Sequence, residues 1–151
     1  MLAAAVDFMD GPNGILNRCI VEQTWDQRFE RFPCAGSPLR LALSPLISVG
    51  SVKHFDADGV EQTVSSSDYE AITDGDRPLV NAFDAWPAID TRRTYPVTVR
   101  YTVGFATVPA ALKEALMLHV SALYNGGAVS PLGLAQLGYH DLIAGHRRPS
   151  L

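Results

Sequence analysis

The chain has 151 residues and a formal net charge of −4, and 47% of its residues are hydrophobic against 19% charged. These values are typical of one soluble domain with a sizeable core. No apolar run reaches the roughly 20 residues that a membrane-spanning helix needs. The amino terminus, MLAAAVDFMD, lacks the basic region of a secretory signal. Without a basic stripe interleaved with aromatics, the sequence argues against tight nucleic-acid binding.

The amino-terminal segment is predicted to be a short helix that ends early. Leu2, Val6 and Met9 recur at helical spacing, and the four breakers at residues 11–14 stop the pattern. The two cysteines, Cys19 and Cys34, are too few for a disulfide framework and are predicted to be free thiols in a reducing compartment.

The middle of the chain is predicted to consist of short strands. Residues 20–32 alternate in polarity, which is typical of an antiparallel strand with one wet face. The turn Asp56-Ala57-Asp58-Gly59 predicts a hairpin, because its glycine can supply a positive φ. Further strands are predicted at residues 39–43, 47–55, 60–64, 69–72 and 79–80.

The stretch from Tyr95 to Tyr124 changes its period in the middle. Apolar side chains alternate from Tyr95 to Phe105, which predicts a strand with one buried face. After Pro109 the period becomes helical, and the helix is apolar on several sides. We expect the strand to lie in the core. The predicted stripe of the helix comprises Leu112, Leu116, His119 and Leu123.

A last helix is predicted around Leu134, Leu137, Leu142 and Ile143, interrupted at Gly138 and ended by Gly145. The polar, basic tail at residues 146–151 is expected to be flexible. Residues 1–145 are predicted to form a single domain. Its fold class is α+β, with an antiparallel β-sheet region inserted between an N-terminal helix and two C-terminal helices.

None of the candidate chemical motifs supports an enzyme, a cofactor or a metal site. Residues 56–59 begin like a calcium loop, but Val60 and Ser67 stand where that loop needs ligands. The histidines show no metal-ligand spacing. Asp84 and Asp90 are interpreted as surface acids rather than as a catalytic pair. The alternative is a small hydrolase that uses Asp84, Asp90 or His119.

Three segments carry a resemblance to a known family. They are LAAAVDFMDGPNGILNRCIVEQTWDQRFERFP, SPLISVGSVKHFDADGVEQTVSSSDYEAI and YPVTVRYTVGFATVPAALKEALMLHVSALYNGG. In these segments, and over residues 2–148, the chain resembles the head–tail connector (adaptor, or head-completion) proteins of long-tailed phages and gene transfer agents. Such relatives usually begin with a further helix before the one that begins here at Leu2.

The resemblance implies a structural function at the head–tail junction of a phage or phage-like particle that is made in a bacterial cytoplasm. It implies a ring, commonly of twelve copies, between the portal protein and a stopper or tail-proximal neck protein. DNA passes through the centre of such a ring, and no membrane is involved. The alternative within the same particle is another neck component, either a stopper or a tail terminator.

The resemblance also implies which residues make contacts. The carboxyl-terminal segment of such proteins reaches the portal, with Leu142 and Ile143 as apolar anchors here and His146, Arg147 and Arg148 as charged partners. We expect Met117, Val120 and Tyr124 on the apolar helix to meet another protein, such as a second copy, or the terminal helices. The full predicted portal contact comprises Tyr139, His140, Leu142, Ile143, His146, Arg147, Arg148 and Leu151.

Overall fold

The structure is a computed structural model that describes residues 2–11, 14–34, 37–73, 77–124 and 138–147. The helices are α1 (Leu2–Met9), α2 (Ala110–Tyr124) and α3 (Tyr139–Ala144). The strands are β1 (Gln23–Phe29), β2 (Leu39–Arg40), β3 (Leu46–Phe55), β4 (Glu61–Val64), β5 (Tyr69–Ile72), β6 (Leu79–Ala82) and β7 (Val97–Val103). This order confirms the predicted α+β class, with antiparallel strands between an N-terminal helix and two C-terminal helices.

The chain divides into two compact units. The sheet unit spans Glu22–Gly104, and the helical unit combines Met1–Val21 with Phe105–Leu151. The prediction of one domain over residues 1–145 with a flexible tail after it stays a prediction, because compactness alone does not show whether either unit folds without the other.

The sheet unit contains a four-stranded sheet in the order β1-β7-β3-β4 and a three-stranded sheet in the order β2-β6-β5. Every strand pair among the described residues is antiparallel. The strand predicted in residues 95–105 is confirmed as β7, because its alternate residues are buried, and it lies between β1 and β3 in the sheet. These residues are Val97, Val99, Tyr101 and Val103.

Four predicted strands, those that became β1, β2, β4 and β7, are shorter in the structure than their sequence patterns, and β1 and β2 change most in proportion. The strand predicted at residues 20–32 is β1, whose ladder with β7 begins at Gln23 and ends at Phe29 opposite Val97. The strand predicted at residues 39–43 keeps only Leu39–Arg40. Beyond the strand, the amide of Leu41 donates to the carbonyl of Pro78, a proline that offers no N–H in return. The ladder therefore ends where its backbone partners end.

The predicted hairpin is confirmed, and the side chain of Asp56 forms hydrogen bonds within its turn. The Oδ1 atom of Asp56 accepts from the amides of Asp58 at 3.1 Å and Val60 at 2.9 Å. Gly59 has a φ of +82°, which side chains other than glycine rarely adopt. The residues that begin like a calcium loop therefore form a local turn, in which the side chain of Asp56 accepts hydrogen bonds from backbone amides of the same turn.

The helical unit has a buried core to which α1, α2, α3 and the segment after α1 contribute. Its members are Met9, Leu16, Ile20, Leu112, Ala115, Tyr139 and Ile143. Glycine is required at position 14, because a Cβ there would lie 2.5 Å from main-chain atoms of Met9 and Asp10. The chain therefore reverses tightly after α1 and returns Leu16 and Ile20 to the same core.

Candidate functional site

The exposed face of α2 is the first candidate surface. Met117 is 63% exposed and Tyr124 is 77% exposed. Together with Leu116, Val120 and Ser121 they line a shallow groove of about 350 Å³. This is the place where the sequence predicted an interface, and the structure brings its three predicted residues, Met117, Val120 and Tyr124, together on one side of the helix.

Helical spacing explains why this surface is apolar and uncovered. The opposite side of α2 carries Leu112, Ala115 and His119, which are buried in the helical unit. Lys113 and Glu114 stand at the beginning of the exposed side, and the groove occupies the remainder. An exposed apolar patch beyond a charged turn is typical of a surface that another protein covers.

The predicted portal contact lies on α3 and the residues after it, and its members differ in burial. Tyr139 and Ile143 are buried in the core of the helical unit, while Leu142 is half-buried. His140 and Arg147 are exposed, and Arg148 and Leu151 lie outside the described residues. Ile143, predicted to be an apolar anchor for the portal, packs inside the chain itself, so Leu142 is the more accessible of the two predicted anchors.

The short helix α3 is held by its ends and by Tyr139. Gly138, with a φ of 70°, precedes the helix, and its carbonyl accepts from the amides of Asp141 and Leu142. After the helix, the amide of His146 donates to the carbonyl of Ile143. The ring of His146 meets the ring of Phe105 edge-on at 6.2 Å. His146 is thus partly engaged within the helical unit, and Arg147 is the first exposed charge after it.

His119 is a structural histidine. Its ring stacks on Phe8 at 4.7 Å and lies 5.8 Å from the ring of Tyr139. Burial lowers the pKa of His119, and its Nδ1 atom has no hydrogen-bond partner among the described residues. A neutral ring between two aromatic rings has packing as its evident role, as the apolar stripe indicated.

The stability of the protein is expected to fall as the pH decreases below about 6.5. Burial lowers the pKa of both His119 and His54. As the pH falls, these histidines therefore bind protons at a higher pH in the unfolded chain than in the folded chain. Their contribution to stability is complete above the unfolded pKa and is lost as the pH falls toward the folded pKa. Urea unfolding at about pH 8 and about pH 5.5 measures this loss.

Two variants test whether the buried histidines cause this pH dependence. Replacing His119 with phenylalanine should reduce the difference between the two pH values, whereas replacing the exposed His140 with glutamine should leave it unchanged. Equal unfolding free energies of the wild-type protein at both pH values would contradict the assignment of buried, neutral histidines.

Of the two acids in the hydrolase alternative, Asp90 is engaged with neighbouring arginines. The carboxylate of Asp90 pairs with Arg92 at 2.9 Å and with Arg93 at 3.6 Å. The hydrogen bond from the side chain of Arg92, and then the bond from its amide, hold the pKa of Asp90 below its usual range. Asp84 is exposed. A carboxylate stabilised in its charged form orders the loop before β7 and is a poor general acid.

The described residues contain no group of three potential metal ligands among histidine, cysteine, aspartate and glutamate. Both cysteines are free, as predicted. Burial, followed by the charge of Asp10, raises the pKa of Cys19 to about 12, which leaves its thiol unreactive. Within the described part of the chain, no helix is both long enough and apolar enough to cross a membrane.

The sequence did not indicate a second feature, an open pocket of about 370 Å³ in the sheet unit. His54 from β3 and Asp68 and Trp86 from two loops contribute to it. These residues are far apart in sequence and follow no recognisable spacing. The signal available was Trp86-Pro87 in a long segment without regular structure, which the sequence indicated only as a loop before the central strand.

The comparisons with known proteins give a match of fold. No protein-family model and no curated protein matches the sequence. Solved structures with a similar chain include the virion of a native gene transfer agent particle, with a TM-score of 0.76 and 23% identity, covering 99% of this chain and 76% of that chain.

Two neck structures of gene transfer agent particles are also similar. The neck of the native particle with C12 symmetry gives a TM-score of 0.74 at 20% identity, over 99% of this chain and 81% of that chain. The neck of the empty particle with C6 symmetry gives a TM-score of 0.73 at 19% identity, over 99% of this chain and 76% of that chain. The resemblance inferred from the sequence is thus confirmed at the level of fold: this chain has the fold of a protein found in gene transfer agent particles and in their necks.

Proposed function

We propose that this protein is a structural head–tail adaptor in the neck of a phage or phage-like particle. The observation that carries the proposal is the fold similarity over 99% of the chain to a protein in particle necks. In this proposal the copies form a ring, of twelve where the neck has C12 symmetry, between the portal protein and a stopper or tail-proximal protein. DNA passes through the centre of the ring.

Two surfaces support the proposal. The groove of α2 supplies an exposed apolar face of the kind that neighbouring subunits bury. The end of the helical unit supplies His140, Leu142 and Arg147 on or after α3 as accessible residues for the portal. The net charge of −4 also suits a channel component, because DNA binds non-specifically through contacts of cationic side chains with phosphate.

Mixing the purified protein with portal rings tests the proposal. We expect the protein to associate weakly or not at all alone and to form a closed ring on the portal, visible by electron microscopy. Density at the tail-proximal level of the neck would instead assign a stopper or tail terminator. Failure to assemble with the portal or with any neck component would overturn the structural function.

Removing residues 145–151 is expected to leave the fold intact and to weaken docking on the portal. Arg147 is exposed, and the deletion takes away the backbone hydrogen bond that the amide of His146 donates to the carbonyl of Ile143 in the helix. Circular dichroism reports the fold, and sedimentation with portal rings reports the docking. A shorter deletion from Arg147 onward is the matched control, because it keeps this hydrogen bond of His146. Unfolding of both variants would show that the tail belongs to the core.

A further inference from the structure

The pocket of the sheet unit has no part in the proposed ring or portal contacts. It has a volume of about 370 Å³ and is open to solvent, and His54, Thr63, Ser65, Asp68 and Trp86 contribute to its wall. It therefore combines an aromatic ring, a carboxylate and hydroxyl groups in one concave surface. Such a combination of a largely formed cleft with a few polar groups is typical of a binding site.

Trp86 is held in one orientation. Its ring stacks on Phe32 with the centroids 4.6 Å apart and the planes 4° from parallel. Phe32 is buried and also meets His54 edge-on at 5.8 Å. Because the indole is already fixed, a ligand that contacts it loses little side-chain entropy from the protein. The face of an indole attracts cations more strongly than other aromatic faces do.

Asp68 supplies the charge at the rim of the pocket. Its amide donates to the carbonyl of Ser65 at 3.0 Å, and its own carbonyl accepts from the amide of Phe83 at 3.0 Å. The hydroxyl of Ser67 donates to its Oδ1 atom at 3.1 Å. The side chain is exposed, and its carboxylate has no cationic partner among the described residues.

The surrounding sequence is strongly acidic. Residues 53–93 contain nine aspartate and glutamate residues against four bases, Lys53, Arg77, Arg92 and Arg93, which gives a net charge of −5 in a chain whose total is −4. This balance favours a cationic partner over an anionic one for this part of the sheet unit.

His54 provides an independent indication of a ligand. The side chain is only 6% exposed, lines the pocket, and has an Nδ1 atom without a hydrogen-bond partner among the described residues. Burial lowers the pKa of His54, so its ring is neutral at neutral pH and does not repel a cation. His119, whose Nδ1 atom is also without a partner among the described residues, lies among aromatic rings, whereas His54 belongs to the wall of an open cleft, where a ligand can supply the missing hydrogen bond.

We propose that this pocket binds an arginine side chain carried by an extended segment of another neck protein. The guanidinium plane stacks on the indole of Trp86, and its N–H groups donate to the carboxylate of Asp68. Arginine suits the site better than lysine, because its planar group both stacks on an aromatic ring and donates two parallel hydrogen bonds.

The source of the arginine is a different protein, and this step rests on the proposed function. Within the sheet unit, Arg92 and Arg93 pair with Asp90, Arg100 pairs with Asp26, and Lys53 pairs with Glu61. Arg28, Arg31, Arg40 and Arg77 are exposed, but none of them lines the pocket, and the arginine pair at positions 147 and 148 belongs to the segment assigned to the portal. A partner segment is therefore the occupant.

Nuclear magnetic resonance of the full chain tests the pocket directly. The probes are the capped peptide Gly-Arg-Gly and the same peptide with citrulline, which keeps the shape of arginine and removes its charge. The indole N–H signal of Trp86 is the readout, assigned with the Trp25→Phe variant. We expect the arginine peptide to shift this signal to saturation and the citrulline peptide to shift it at least tenfold more weakly.

Substitutions locate the binding. Asp68→Asn should weaken the binding of the arginine peptide at least tenfold. Glu70→Gln, which removes an exposed charge outside the pocket, should leave the affinity unchanged. The contrast between arginine and citrulline needs no variant and decides the question even where Asp68→Asn fails to fold.

Three results would overturn the proposal. The first is no shift of the Trp86 signal with the arginine peptide, and the second is an equal shift with citrulline. The third is tighter binding of a peptide of residues 146–151 than of Gly-Arg-Gly, which would make a second copy the occupant. None of these measurements includes the portal, so failure of the pocket and failure of the adaptor function are distinguishable.

Discussion

Truncating Tyr139 to alanine is expected to lower the free energy of unfolding by about 3–5 kcal/mol. Tyr139 is completely buried in the core of the helical unit and lies beside His119. Its removal leaves a cavity under α3, a helix of only six residues that cannot persist without tertiary contacts. Urea unfolding followed by circular dichroism measures the change. Loss of α3 should also weaken docking on the portal.

Two control variants show whether the loss of stability comes from the buried ring of Tyr139. Tyr139→Phe keeps the ring and should be neutral or slightly stabilising, because the hydroxyl has no hydrogen-bond partner among the described residues. Alanine at the exposed His140 should change stability by less than about 0.5 kcal/mol. A Tyr139→Ala variant with wild-type stability and impaired docking would instead show that Tyr139 faces the portal and not the core.

Much of the fold could be predicted from the sequence where local pattern and tertiary environment agree. The strand β7 has a neighbour on each edge and one buried face, so its alternation from Val97 to Val103 is complete. The hairpin turn at Asp56 and Gly59 follows from local backbone chemistry and was equally predictable. The ends of β1 and β2 depend on which partner strand runs alongside them, and no local pattern contains that information.

The candidate surfaces could be predicted only in part, for a related physical reason. Periodicity identified α2 as apolar on several sides, and the structure shows that Leu112 and Ala115 take the core while Met117 and Tyr124 remain exposed. Periodicity cannot distinguish an apolar side chain that packs in the core of the chain from one that is exposed and available to another protein. Ile143 illustrates this, because its pattern fits an anchor and its position is in the core.

Replacing Met117 with glutamate is expected to weaken ring formation on the portal at least ~100-fold while leaving the monomer folded. Met117 is exposed, so the new charge is solvated in the free chain and stability should change by less than about 0.5 kcal/mol. In a ring that buries the groove of α2, the same carboxylate would lose its water without gaining a partner. Such a loss amounts to several kcal/mol per interface, and each 1.4 kcal/mol is a tenfold change in affinity.

Ala110→Glu is the matched control, because it adds the same charge to the exposed side of the same helix, two turns before the groove. Electron microscopy of portal mixtures should show rings with this control and none with Met117→Glu. If both variants form rings, α2 is not a subunit interface, and the apolar groove must serve a different partner. If neither forms rings while both bind the portal as single copies, negative charge anywhere along this side of α2 opposes assembly. The interface would then extend from the groove to the beginning of the helix, across the turn that carries Lys113 and Glu114.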